Sequence, residues 1–123
     1  MKHDDARKIL HSRGGLKITI DDTADRERFV IETSGGQKFL LQNGPGQIEV
    51  SDGNGNTARF DAGGITVNAA AKVTINASEV EINSGTITLN SGMSKFAGVV
   101  QCDTLISNSV VASSYTPGAG NIW

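Results

Sequence analysis

Between residues 65 and 91 the chain writes one short unit four times: Ile65-Thr66-Val67-Asn68-Ala69, Val73-Thr74-Ile75-Asn76-Ala77, Val80-Glu81-Ile82-Asn83-Ser84 and Ile87-Thr88-Leu89-Asn90-Ser91. Each unit reads apolar, polar, apolar, Asn, small. Its first and third residues fall on one side of an extended chain and the residue between them on the other, as in a half-buried strand. β-branched side chains suit that pleat. The units start at residues 65, 73, 80 and 87, so the two or three residues between strands leave room for a corner rather than a hairpin loop. The spacing predicts a chain that keeps coiling in one direction, a solenoid pattern. Helix is not expected after about residue 14.

Looser copies lie upstream at Ile18-Thr19-Ile20-Asp21, Phe29-Val30-Ile31-Glu32, Phe39-Leu40-Leu41-Gln42, Ile48-Glu49-Val50-Ser51 and Ala58-Arg59-Phe60-Asp61. Turn signals separate them: Ser34-Gly35-Gly36, Asn43-Gly44-Pro45-Gly46 and Asp52-Gly53-Asn54-Gly55-Asn56. Charge divides the chain in the same place. Residues 1–61 hold nine Lys/Arg and ten Asp/Glu, whereas beyond them the charged residues are Lys72, Lys95, Glu79, Glu81 and Asp103.

A single copy of this chain has little with which to build a core. Of 123 residues only 37% are apolar and 5% aromatic, while Gly alone contributes 15. The lone Cys102 permits no internal disulfide. Nine strands wound three to a turn would make a stub about 14 Å tall with two open edges, which aggregate unless covered. Three interwoven chains would give twenty-seven strands, about nine rungs and a shaft of about 43 Å. The expected fold is therefore all-β, an interwoven homotrimeric triple-stranded β-helix whose cyclic symmetry supplies the missing core. Its axis would be lined by Ile65, Val67, Val73, Ile75, Val80, Ile82, Ile87 and Leu89. Thr66, Thr74, Glu81 and Thr88 would face outward, and Asn68, Asn76, Asn83 and Asn90 would turn the corners, where Asn tolerates a left-handed backbone.

No residue cluster calls for catalysis or a cofactor. Asp52-x-Asn54-x-Asn56 imitates the start of a calcium loop, but Thr57 stands where Gly is needed and Gly63 where Glu is needed. His3 and His11 have no Cys or His at ligand spacing. Cys102 has Asp103 as its nearest charge, the opposite of what activates a thiol. With a net charge of -2, a nucleic-acid groove has no electrostatic footing. Neither an enzyme, a metal site, a nucleic-acid partner nor a small-molecule substrate is expected. No apolar run approaches the roughly 18 residues of a membrane span, and Met1-Lys2-His3-Asp4-Asp5 lacks a secretory signal.

Three stretches together carry a family resemblance: the valine-rich repeat, Ser12-Arg13-Gly14-Gly15-Leu16-Lys17-Ile18-Thr19-Ile20-Asp21-Asp22-Thr23, and the ending Tyr115-Thr116-Pro117-Gly118-Ala119-Gly120-Asn121-Ile122-Trp123. The chain resembles the central spikes of contractile phage tails and related injection machines, among them baseplate assembly protein V and the valine-glycine repeat spikes of type VI secretion. In that family a Ser-Arg-Gly-x-x-Ile-x-x-Asp-Asp-Thr stretch joins an oligonucleotide-binding-fold barrel to a trimeric β-helix. Gly35-Gly36 and the turn at 52–56 match that helix's first strands.

The resemblance implies a membrane-piercing needle and a division into four parts. Residues 1–13 would be a connector to a barrel missing here, 14–63 the looser strands, 64–95 the regular β-helix and 96–123 the apex. The implied partners are tail hub and baseplate proteins at the N-terminal end, the target cell envelope, and a tip cap at the C-terminal end. The site would be a virion tail tip or an extracellular injection particle, the chain being made in the bacterial cytoplasm without a signal peptide. Tyr115, Pro117, Asn121, Ile122 and Trp123 are the expected apex and cap contacts, since Pro ends the strand ladder and Trp is costly to leave in water. The competing reading is a trimeric phage fibre or adhesin segment binding a cell-surface carbohydrate. It needs aromatic platforms, and Tyr115 and Trp123 are the only Tyr and Trp present.

Overall fold

A computed structural model describes residues 6–116 and 118, and it is all-β, with no α-helix among them. Seven five-residue strands run in chain order: β1 (Arg7–His11), β2 (Lys17–Asp21), β3 (Arg28–Glu32), β4 (Lys38–Gln42), β5 (Gln47–Ser51), β6 (Thr57–Asp61) and β7 (Gly64–Asn68). They form one sheet in the order β1-β2-β3-β4-β5-β6-β7, every neighbour antiparallel. The chain divides into two compact units, one ending at Val80 and the other beginning at Glu81. Strands β2 to β7 coincide, within a residue at each end, with the apolar-polar-apolar units read from the sequence.

Their pairing corrects the expectation that each strand lies between strands of other chains. From residue 17 to residue 68 each strand pairs with the next one in its own chain. The chain reverses instead of coiling onward, and the reason lies in the turns. Three of them share one construction, closed by backbone bonds from Ser12 N–H to Leu16 C=O (2.8 Å), Thr33 to Gln37 (3.0 Å) and Asp52 to Asn56 (3.1 Å). In each, the first residue's side-chain oxygen accepts the fifth residue's N–H: Leu16 to Ser12 Oγ at 3.0 Å, Gln37 to Thr33 Oγ1 at 3.3 Å, Asn56 to Asp52 Oδ1 at 3.0 Å. The fourth residue is always a glycine at positive φ, near 91° to 96°, where other residues are strained.

The step from β6 to β7 is as short as those of the regular repeat, yet it too is a hairpin. Asp61 and Gly64 are paired, so Ala62 and Gly63 alone make the loop. The Asp61 carboxylate accepts Gly63 N–H at 2.8 Å, and Gly64 has a φ of 121°. Five strand residues and a two-residue loop thus fit a seven-residue step as a hairpin. The strand β1, which lies in the expected connector, pairs along its whole length with β2.

Register sorts the side chains of β2 to β7 into two faces. Positions two and four of every strand share one face, pairing Ile18 with Ile31, Phe29 with Leu41, Phe39 with Val50, Ile48 with Phe60, and Phe60 with Ile65. Every such position is apolar. The other face carries positions one, three and five. Its central row holds the buried residues Thr19, Val30 and Leu40, flanked along their strands by Lys17 and Asp21, Arg28 and Glu32, and Lys38 and Gln42. Long polar side chains of this kind cover an apolar row with their stems and keep their heads in water. Facing charges on it have opposite signs, as in Arg7–Asp21, Asp21–Arg28, Lys17–Glu32, Glu32–Lys38 and Glu49–Arg59. Opposed signs across a ladder each contribute about 0.2 to 1 kcal/mol.

Candidate assembly surface

The apolar face is left largely uncovered by the chain's own residues. Ile20, Phe39, Leu41, Ile48, Val50, Phe60, Ile65 and Val67 retain between 37% and 68% of their surface. A contiguous apolar patch of this extent marks an interaction surface on a water-exposed protein. Two open grooves run over it. One, of about 920 Å³, is lined by Ile20, Phe29, Leu41, Ile48 and Phe60. The other, of about 710 Å³, is lined by Ile31, Phe39, Val50, Ala58 and Val67, with Lys72 and Val73 from beyond β7. Burying apolar surface gains roughly 25 cal/mol per Å², so the face has the chemistry to drive association.

The residues expected on a three-fold axis divide between the two units. Ile65 and Val67 lie on β7 and share the apolar face, opposite Phe60 and Ala58. Val73, Ile75 and Val80 follow the last strand in the same unit, and Ile82, Ile87 and Leu89 belong to the second unit. All eight are exposed in the single chain, and no strand is formed between residues 69 and 116. Tyr115, expected at the apex, is exposed. Pro117, Asn121, Ile122 and Trp123 lie outside the described residues.

Within the second unit, apolar residues after Phe96 come in adjacent pairs with unequal exposure. Val99, Ile106 and Val111 are 91% to 97% exposed, while their neighbours Val100, Leu105 and Val110 lie between 60% and 72%. Adjacent residues of an extended chain point to opposite sides, so this stretch is apolar on both.

Serine, and not asparagine alone, makes the corners here. Ser84 Oγ accepts Thr86 N–H at 3.1 Å and donates to Thr86 C=O at 2.5 Å; Ser91 does the same with Met93, and Ser107 with Ser109. The middle residue is Gly85, Gly92 or Asn108. Reading Asn as the corner residue overlooked this device, although Ser follows Asn83 and Asn90 directly. Asn83 instead donates to Glu81 Oε1 at 3.1 Å, and Asn68 to Thr57 Oγ1 at 3.1 Å.

The turn at 52–56 is closed on itself. Asp52 Oδ1 accepts the N–H groups of Asn54 (2.8 Å) and Asn56 (3.0 Å), and Oδ2 accepts Asn56 Nδ2 (2.7 Å) and Asn54 Nδ2 (3.4 Å). The bond from the Asn56 side chain, with those from the Asn54 and Asn56 backbones, holds the carboxyl down to about 2. Asp21 is lowered for a like reason, its carboxylate accepting the hydroxyl (2.6 Å) and N–H (3.1 Å) of Thr23. His11 is exposed on β1 opposite Lys17, and Cys102 is exposed. Among the described residues no three His, Cys, Asp or Glu are grouped to hold a metal ion.

Compared with known protein families, residues 28–88 match the model of the phage baseplate V C-terminal trimerisation domain. The match begins at β3, takes in most of the apolar face and runs on through the first repeats beyond β7. No curated protein matches the chain.

Proposed function

Residues 28–88 belong to the phage baseplate V C-terminal trimerisation domain family, and from that premise we propose that the chain is the shaft of a homotrimeric tail spike that punctures the target cell envelope. The observation that carries this reading is the apolar face of β2 to β7, half-exposed in one chain and lying mainly within the matched residues. Three copies would turn these faces toward a common axis. Beyond β7, neighbouring protomers would supply the ladder partners that residues 69–116 lack in one chain. The opposed charges of the other face would meet solvent.

The role is structural and not catalytic: a spike needs stiffness along its axis, and interchain ladders and a shared core supply it. The shaft would sit at the virion tail tip, with hub proteins at its N-terminal end, a separate cap at its C-terminal end, and the envelope as its target. Light scattering on the purified protein is expected to give the mass of three 12.9 kDa chains; the mass of one would overturn the reading. Puncture itself is tested on assembled particles carrying an apex-deleted chain. These are expected to attach normally but to cause no potassium efflux from the host. Unchanged efflux would leave a scaffold without a piercing role.

A further inference from the structure

We propose that Asn56 is a latch that sets the point and the register at which the chain leaves the sheet. Its side chain bridges two segments that are otherwise far apart in sequence. Asn56 Nδ2 donates to Asp52 Oδ2 at 2.7 Å, and Asn56 Oδ1 accepts the N–H of Ala70 at 2.8 Å. Its backbone is held as well, because Asn56 N–H donates to Asp52 Oδ1 and Asn56 C=O accepts Asp52 N–H. The amide plane is thus anchored at its root before it reaches Ala70.

The two demands on that side chain have opposite polarity. The carboxylate needs a donor and the Ala70 N–H needs an acceptor, so only one orientation of the amide serves both. The bond falls where the chain needs it. Residues 69–73 have no strand partner in the chain, and Ala70 is the second residue after β7. Gly55 brings the turn close, since a Cβ at that position would lie 3.5 Å from the Ala70 Cβ. Three residues later Val73, with Lys72, lines the groove over Phe39, Val50 and Val67. Because side chains alternate, a slip of one residue at Ala70 would offer Lys72 or Thr74 to the apolar face in place of Val73. The latch lies within one protomer and holds whether or not the proposed assembly forms.

The polarity of the bridge supplies its own test. Asp52→Asn sets two NH₂ groups against each other, and Asn56→Asp sets two carboxylates against each other. The double exchange D52N/N56D restores the bridge with the roles reversed: Asn at 52 donates to Asp at 56, whose other oxygen still accepts Ala70 N–H, and only the longer bond from Asn54 Nδ2 at 3.4 Å is given up. The measurement is limited trypsin digestion of the full chain, followed by mass spectrometry. Cleavage after Lys72 is taken relative to cleavage after Lys38 and Arg59 in the sheet, so that general loosening cancels. Either single exchange is expected to speed relative cleavage after Lys72 about tenfold or more, the effect of losing one charge-assisted bond on local opening. The double exchange is expected to return to within about twofold of the parent. Single exchanges that leave Lys72 as protected as in the parent overturn the proposal. So does a double exchange that is cleaved as fast as the singles or fails to fold.

Discussion

Phe60 stands directly opposite Ile65 across the β6–β7 hairpin, and both project from the apolar face with 43% and 68% of their surfaces open. The pair belongs to the tightest reversal in the sheet, where two residues return the chain on itself.

Replacing Ile65 by Asp is expected to break the assembly, since an uncompensated carboxylate in each protomer would have to leave water at a cost on the order of several kcal/mol per ion. Thr66→Asp, one residue on and on the opposite face, is expected to change stability by no more than about 0.5 kcal/mol. Val73→Asp and Thr74→Asp repeat the comparison beyond the sheet. Light scattering and thermal melting of the four variants check the assignment, which fails if inward and outward variants behave alike.

Gly36→Ala is expected to destabilise the sheet by about 1 to 3 kcal/mol. Gly36 has a φ of 96°, and a Cβ there would sit 3.1 Å from the Gly53 Cα of the next turn along that end. Gly14→Ala is the control, having no positive φ and nothing within 4 Å of its Cβ position. Denaturant unfolding of the two variants should separate them clearly.

Acid is expected to weaken the protein only below about pH 4. Asp52 is lowered from 3.8 to about 2, and Asp21 is lowered as well. A carboxyl with a depressed folded-state pKa contributes stability that is fully present above its unfolded value and is lost as pH falls through the folded one. The melting temperature should therefore be flat on account of these groups from pH 5 to 8 and fall between pH 4 and 2. Asp52→Asn should lower the plateau and make the acid fall shallower. A parent whose melting temperature does not change down to pH 2 would contradict the linkage.

Ser84→Ala and Ser91→Ala each remove a hydroxyl that both accepts and donates across a three-residue corner, and each is expected to cost about 0.5 to 1.5 kcal/mol per chain. Ser78→Ala is expected to be near neutral, as its hydroxyl forms no hydrogen bond among the described residues. Differential scanning calorimetry of the three variants gives the comparison.

Strands β2 to β7 were legible because period-two alternation with β-branched and aromatic residues is a local property of the chain. β1 was not, since Arg7-Lys8-Ile9-Leu10-His11 places its two apolar residues side by side and so sends them to opposite faces. Spacing alone does not give the mode of pairing. Whether two residues make a corner or a hairpin depends on details such as Gly64 at positive φ and the Asp61 carboxylate reaching Gly63, which a count of residues does not contain. The common turn at 12–16, 33–37 and 52–56 is not visible as a motif because its first residue is Ser, Thr and Asp in turn, alike only in offering an oxygen at one position. The apolar face itself followed from the pattern, but what covers it is not local to the chain, and only the family match speaks to it.

The antiparallel meander also makes the sheet's length a quantised property. Each added strand reverses the chain's direction, so inserting one strand between Asn56 and residue 70 would deliver residue 70 to the opposite end from Asn56 and leave that side chain without its partner. Between those two residues strands can be gained or lost only two at a time, each pair adding about 9.5 Å along the hydrogen-bonding direction and bringing one more turn at the Asn56 end with it. A lineage that lengthened the sheet there would be expected to do so by duplicating whole hairpin pairs.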